Sequence, residues 1–89
     1  MKTINNNSIK ILVRIRDIEN NLGLCEGRGM TKEQITNRCG MSDSTINRGI
    51  KLLKENGYIK EGIKNVNKNT YYITEQGINL LKAINKRTV

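Results

Sequence analysis

Along the first third of the chain, apolar residues recur at helical spacing. Ile11, Ile15, Ile18 and Leu22 fall three to four residues apart and predict one buried helix face, on a helix from Ser8 to about Leu22. Ser8 is placed to cap this helix and Gly23 to end it. Ile9, Leu12 and Val13 lie on roughly the opposite side. A helix apolar on two sides is either deeply buried or shared with another subunit, and in so small a domain the shared reading is favoured. Ile9, Leu12 and Val13, with Leu80 and Ile84 near the other end of the chain, are therefore expected at a homodimer interface. Residues 1–7 precede the periodic stretch and are expected to be disordered.

The remaining elements are punctuated by glycine and by capping residues, since the chain has no proline. Gly23-Leu24-Cys25-Glu26-Gly27-Arg28-Gly29 reads as a flexible connector. It is not a phosphate-cradling loop, because the Gly-Lys-Ser/Thr ending is missing and no apolar strand precedes it. Thr31-Lys32-Glu33-Gln34 has the form of a capping box and opens a short helix that carries Ile35 inward and stops at Gly40. Ser42 caps a second helix from Asp43 to about Asn56, with Ile46, Gly49, Ile50 and Leu53 as its inner stripe and Gly57 closing it. Two helices joined by a tight glycine-containing turn form a helix-turn-helix pattern.

Beyond it, Tyr58 to Lys64 and Thr70 to Thr74 hold Tyr, Ile and Thr at strand-like density around a polar tip, Asn65-Val66-Asn67-Lys68-Asn69. Thr74 then caps a last helix running to about Arg87, with Ile78, Leu81 and Ile84 on one side. The expected fold is mostly α with a small β-hairpin, one domain over 1–89 in the order α-α-α-β-β-α.

Two segments make the chain resemble the winged helix-turn-helix superfamily, in the style of small MarR- and PadR-like prokaryotic DNA-binding proteins. One is Gly40-Met41-Ser42-Asp43-Ser44-Thr45-Ile46-Asn47-Arg48, continuing through Leu52-Leu53-Lys54-Glu55-Asn56-Gly57-Tyr58-Ile59; the other is Tyr71-Tyr72-Ile73-Thr74-Glu75-Gln76-Gly77. The resemblance covers about Thr31 to Ile84. It implies that the Asp43–Asn56 helix lies in a DNA major groove and that the hairpin tip touches the minor groove or its flanking phosphates.

The residues themselves agree. At about 100° per residue, Ser44, Arg48 and Lys51 fall opposite the buried stripe, with Thr45 and Asn47 flanking. Arg48 has the planar fork that grips a guanine edge, and Asn47 matches adenine. The hydroxyls of Ser42, Ser44 and Thr45 sit at a helix N-terminus, which favours phosphate. At the tip, Lys64, Asn67 and Lys68 have the reach for phosphate or minor-groove contact. Tyr71 and Tyr72 are adjacent and point to opposite faces of a strand, one into the core and the other onto the hairpin surface, with base stacking the least favoured option.

Composition narrows the partner. Of 89 residues, 16 are Lys or Arg against 8 Asp or Glu, a formal charge of +8 that favours a polyanion. There is no histidine, which removes the commonest general base and metal ligand, so neither an enzyme nor a metal or other cofactor is expected. Cys25 and Cys39 do not make a disulfide framework, and no signal peptide or transmembrane run is present, so a cytoplasmic protein is expected. A thiol sensor would need a depressed thiol pKa, which no neighbouring motif provides.

The main expectation is a homodimeric, sequence-specific double-stranded DNA-binding protein acting as a transcriptional repressor. The alternative, which the chain length suits equally well, is a plasmid or phage partition adaptor that coats DNA repeats and recruits a motor or filament protein. A winged module that binds protein is a third reading, opposed by the basic helix face.

Overall fold

The computed structural model describes residues 4–64 and 66–88, with side chains to residue 84. Helix α1 spans Asn6–Ile15, starting and stopping earlier than the periodicity suggests. Asn5 is its N-cap: the Asn5 Oδ1 accepts the Ser8 backbone N–H at 2.8 Å and the Ser8 hydroxyl at 2.9 Å. Ser8 is therefore a fully buried residue of the first turn and not the cap. Residues 5–7, expected to be disordered, form that cap and turn; residues 1–3 lie outside the described residues.

At the other end, the Asp17 carboxylate accepts the Asn20 backbone N–H at 3.1 Å and the Asn20 side-chain amide at 2.9 Å. Such local side-chain bonds compete with helix continuation. Arg16 is accordingly the C-cap, not Gly23, and Ile18, expected on the buried face, is 65% exposed.

The connector then holds a single 3-10 turn at Glu26–Arg28 and a two-residue strand, β1 (Met30–Thr31), which the sequence reading lacks. Two residues are too few to display alternation. Helix α2 (Lys32–Cys39) opens on the full capping box of Thr31 and Gln34 and ends at Gly40, whose φ of 67° is left-handed. Helix α3 (Asp43–Glu55) starts on Ser42 and buries Ile46, Gly49, Ile50 and Leu53, the stripe its spacing predicts. Strands β2 (Ile59–Glu61) and β3 (Thr70–Ile73) make the hairpin, and α4 (Glu75–Thr88) follows.

The sheet is antiparallel in the order β1-β3-β2, with Thr31 opposite Thr70 and Ile59 opposite Ile73. The order of helices, hairpin and last helix is thus the expected one, with one strand added.

The core draws Ile11, Leu12 and Ile15 from α1 and Met30 from β1, together with Ile35, Ile46, Ile50, Leu53, Ile59, Ile73 and Leu81. Leu12 is fully buried among them. Its side chain turns toward the chain's own core, so Leu12 has no surface to offer a second subunit and leaves the interface set. Val13 is 51% exposed, while Ile9, Leu80 and Ile84 are half-buried.

Helix α4 meets the hairpin through a close approach at Gly77. A Cβ there would lie 2.4 Å from the Tyr58 carbonyl oxygen and 2.7 Å from Ile73 Cγ1. Helix propensity alone favours alanine by about 1 kcal/mol. Here the obstacle is backbone, which cannot rotate away, and overpacking of this kind costs roughly 1–3 kcal/mol. Gly77→Ala is expected to lower the urea midpoint; an unchanged or raised midpoint refutes this contact.

Candidate nucleic-acid interface

The outer face of α3 is built as its spacing requires. Ser44, Asn47, Arg48 and Lys51 are exposed, and Thr45 is half-buried. Ser42 and Thr45 place their hydroxyl oxygens 2.9 Å apart, Ser44 lies 3.4 Å from Ser42, and the Ser42 oxygen accepts the Thr45 backbone N–H at 3.4 Å. Three hydroxyls therefore gather where the first backbone N–H groups of the helix are unsatisfied, an arrangement suited to phosphate oxygens.

The two flanks of α3 differ in ways its own sequence does not reveal. Arg48 shares a small depression with Asn5 and Asn7 of the α1 start. Asn47 and Lys51 instead border a cleft that Tyr71 of β3 also lines. Gly49 makes the first flank possible, because a Cβ there would lie 2.3 Å from Ile11 Cδ1. Asn5, Asn7 and Tyr71 are thus neighbours of the reading face that the sequence analysis did not single out. The first two belong to the segment expected to be disordered, and for Tyr71 the sequence favours core or hairpin surface, with base stacking third.

At the hairpin tip Lys64, Asn67 and Lys68 are exposed. Lys68 is not isolated: its ammonium donates to Glu33 Oε2 of α2 at 2.9 Å, and this bond holds the Glu33 carboxyl below its ordinary pKa. A second bridge joins α3 to β2, from Lys54 Nζ to Glu61 Oε1 at 2.6 Å, with Lys54 raised and Glu61 lowered by the bond between them. Exposed ion pairs contribute little to stability, so a phosphate can take over the lysine at small cost. Each hairpin strand, or the tip beside it, is braced to one helix of the helix-turn-helix.

A family model described as winged helix-turn-helix matches residues 9–88. The chain belongs to that family. It is a family of DNA-binding domains rather than enzymes. Among its relatives is the DNA-binding protein TubR of Clostridium botulinum C phage, 37% identical over 81 residues that make up 91% of this chain and 96% of the relative. The solution structure of the DNA-binding TubR fragment from Clostridium botulinum superposes with a TM-score of 0.71, covering 93% of this chain and 99% of that one. The Staphylococcus aureus MepR–DNA complex superposes at 0.73 with 16% identity, covering 93% of this chain and 63% of the MepR chain, and so shares the fold. In this winged helix, α2 and α3 are the helix-turn-helix and the β2–β3 hairpin is the wing. No helix among the described residues is long and apolar enough to cross a membrane.

Of the two cysteines, Cys25 is exposed in the connector and Cys39 half-buried at the end of α2. Burial pushes the Cys39 thiol up, with the Arg14 guanidinium offsetting part of the rise. A reactive sensor thiol needs the opposite shift. A chromogenic disulfide reagent is therefore expected to modify Cys25 first in the folded protein and Cys39 more slowly, with Cys39 catching up in denaturant. Equal rates in single-cysteine variants of the folded protein contradict the burial argument.

Proposed function

We propose that this winged helix binds double-stranded DNA as a homodimer and serves as a partition adaptor, coating repeated sites and recruiting a motor or filament protein. The observation that carries the reading is the 37% identity along nearly the whole chain to a phage DNA-binding protein. Phages and plasmids are the replicons on which small winged-helix adaptors coat repeats. The exposed basic face of α3 and the charge of +8 supply the attraction to DNA.

In this reading α3 enters the major groove. Arg48 grips a guanine edge, Asn47 pairs with adenine, and Ser42, Ser44, Thr45 and Lys51 hold the flanking phosphates. Lys64, Asn67 and Lys68 bring the wing to the adjacent minor groove or its backbone. Ile9, Val13, Leu80 and Ile84 form the interface between two copies, which presents two recognition helices to half-sites about 10 bp apart.

A single-operator repressor is the second reading. The observation favouring it is the shared fold with MarR-type regulators, at an identity that speaks for the fold alone. DNase I footprinting over the DNA flanking its own gene separates the two. Protection spreading over several repeats as protein is added is the expected result, whereas one short two-fold site returns the reading to a repressor.

On the best site, Arg48→Ala should cost roughly ten- to hundredfold in affinity and relax base preference at one position. Lys68→Ala should weaken binding about equally on all sequences and make the salt dependence shallower by about one. An Arg48→Ala variant that binds that site as well as wild type removes Arg48 from its assigned role.

A further inference from the structure

Tyr71 is placed where neither the helix-turn-helix nor the wing alone would put a donor. It sits on β3, the middle strand, opposite Met30 on one side and Glu61 on the other. It lines the cleft beside Asn47, Lys51, Lys54 and Glu55 of α3, and it also lines the cleft between α2 and the wing, with Lys32, Glu33, Thr36, Asp43 and Lys68. Tyr71 is the residue common to both clefts. Lys54 Nζ lies over its ring, 5.9 Å from the centroid, and the ring is half-buried. Among the described residues its hydroxyl has no hydrogen-bond partner.

A helix in the major groove and a wing in the adjoining minor groove straddle one phosphate strand, which must cross the saddle between them. The lysines at either edge of that saddle, Lys54 and Lys68, are each already bonded to a carboxylate. The donor at its centre is a neutral phenol. From this geometry we infer that Tyr71 is a phosphate-positioning residue, its hydroxyl donating to a backbone oxygen of the strand that passes between α3 and the wing. The inference rests on the DNA-binding reading and adds to it a contact of a different physical kind. A lysine that meets a phosphate releases a counterion and steepens the salt dependence; a neutral hydroxyl adds affinity and releases none.

The test is a fluorescence-anisotropy titration of wild type, Tyr71→Phe and Lys51→Ala. Each is titrated against a random-sequence duplex and a duplex from the gene's flanking DNA, over a series of salt concentrations. Tyr71→Phe keeps the ring beneath Lys54, so its unfolding midpoint should match wild type. Its affinity should fall about three- to tenfold, the size of one hydrogen bond, on both duplexes, with the salt slope unchanged. Lys51→Ala should instead make the slope shallower by about one.

Full affinity in Tyr71→Phe overturns the inference. So does a slope that changes as it does for Lys51→Ala, because the effect would then come from a displaced lysine. A loss confined to one duplex overturns it too, since that marks a base contact. If wild type binds neither duplex at low salt, the DNA-binding reading itself fails, and that outcome is distinct from the others.

Discussion

Thr31 stands opposite Thr70 in the two-residue ladder between β1 and β3, and each of these threonines does a second job. The Thr31 side chain accepts the Gln34 backbone N–H as the N-cap of α2, while Gln34 reaches back to the Thr31 N–H at 2.9 Å. Thr70 donates its hydroxyl to the Ile63 carbonyl at 2.7 Å and its own carbonyl accepts the Gly62 N–H at 2.9 Å. The start of the helix-turn-helix and the closed end of the wing are therefore fastened to the same rung. There is little room for slippage: a Cβ on Gly29 would lie 2.4 Å from the Thr70 Oγ1. The distance between recognition helix and wing, which any duplex lying across both must match, follows from this pairing.

The orientation of α3 is set from the other side by α1. The fully buried residues Ile11, Leu12 and Ile15 carry α1 onto the core, and the missing side chain of Gly49 lets the two helices approach at Ile11. Small domains bury a modest share of their surface, so each such contact has to serve both stability and placement. Here the apolar stripe of α3 that holds the helix is also what fixes which residues remain outside. Arg48 is left toward α1, and Asn47 and Lys51 toward Tyr71.

What could be read from the sequence and what could not divide along the range of the forces involved. The capping box at Thr31, the left-handed stop at Gly40 and the α3 stripe are local signals, complete within a few residues, and the structure reproduces them. The end of α1 was not legible, because Ile18 and Leu22 continue the helical period while Asp17 closes a competing turn on Asn20. Periodicity counts apolar positions and is blind to that carboxylate. Leu12 lies off the predicted stripe and so reads as a partner contact, yet its own chain buries it completely, while Val13 beside it stays exposed. Strand β1 depends wholly on a partner forty residues away. The candidate face was legible on α3, where one helix carries all its residues. It was not legible at Tyr71, Asn5 or Asn7, which join that face only through tertiary packing.

The same division explains how the charge is arranged. A surplus of +8 is a property of composition and gives attraction without register. Register needs some of the lysines to be held. Lys54 is bonded to Glu61 and Lys68 to Glu33, and in each case the carboxylate comes from an element other than the lysine's own. These bridges add little to stability in water, but they tie wing to helices at two points and cancel charge at the edges of the saddle. Exposed cations outside these bridges lie on several elements, Lys10 and Arg14 on α1, Arg28 in the connector and Lys82 on α4 among them, but Arg48 and Lys51 on α3 and Lys60 and Lys64 on the wing are on the two elements that would enter the grooves. Specific recognition in such a chain follows less from how much positive charge it carries than from which cations the fold sets on α3 and the wing.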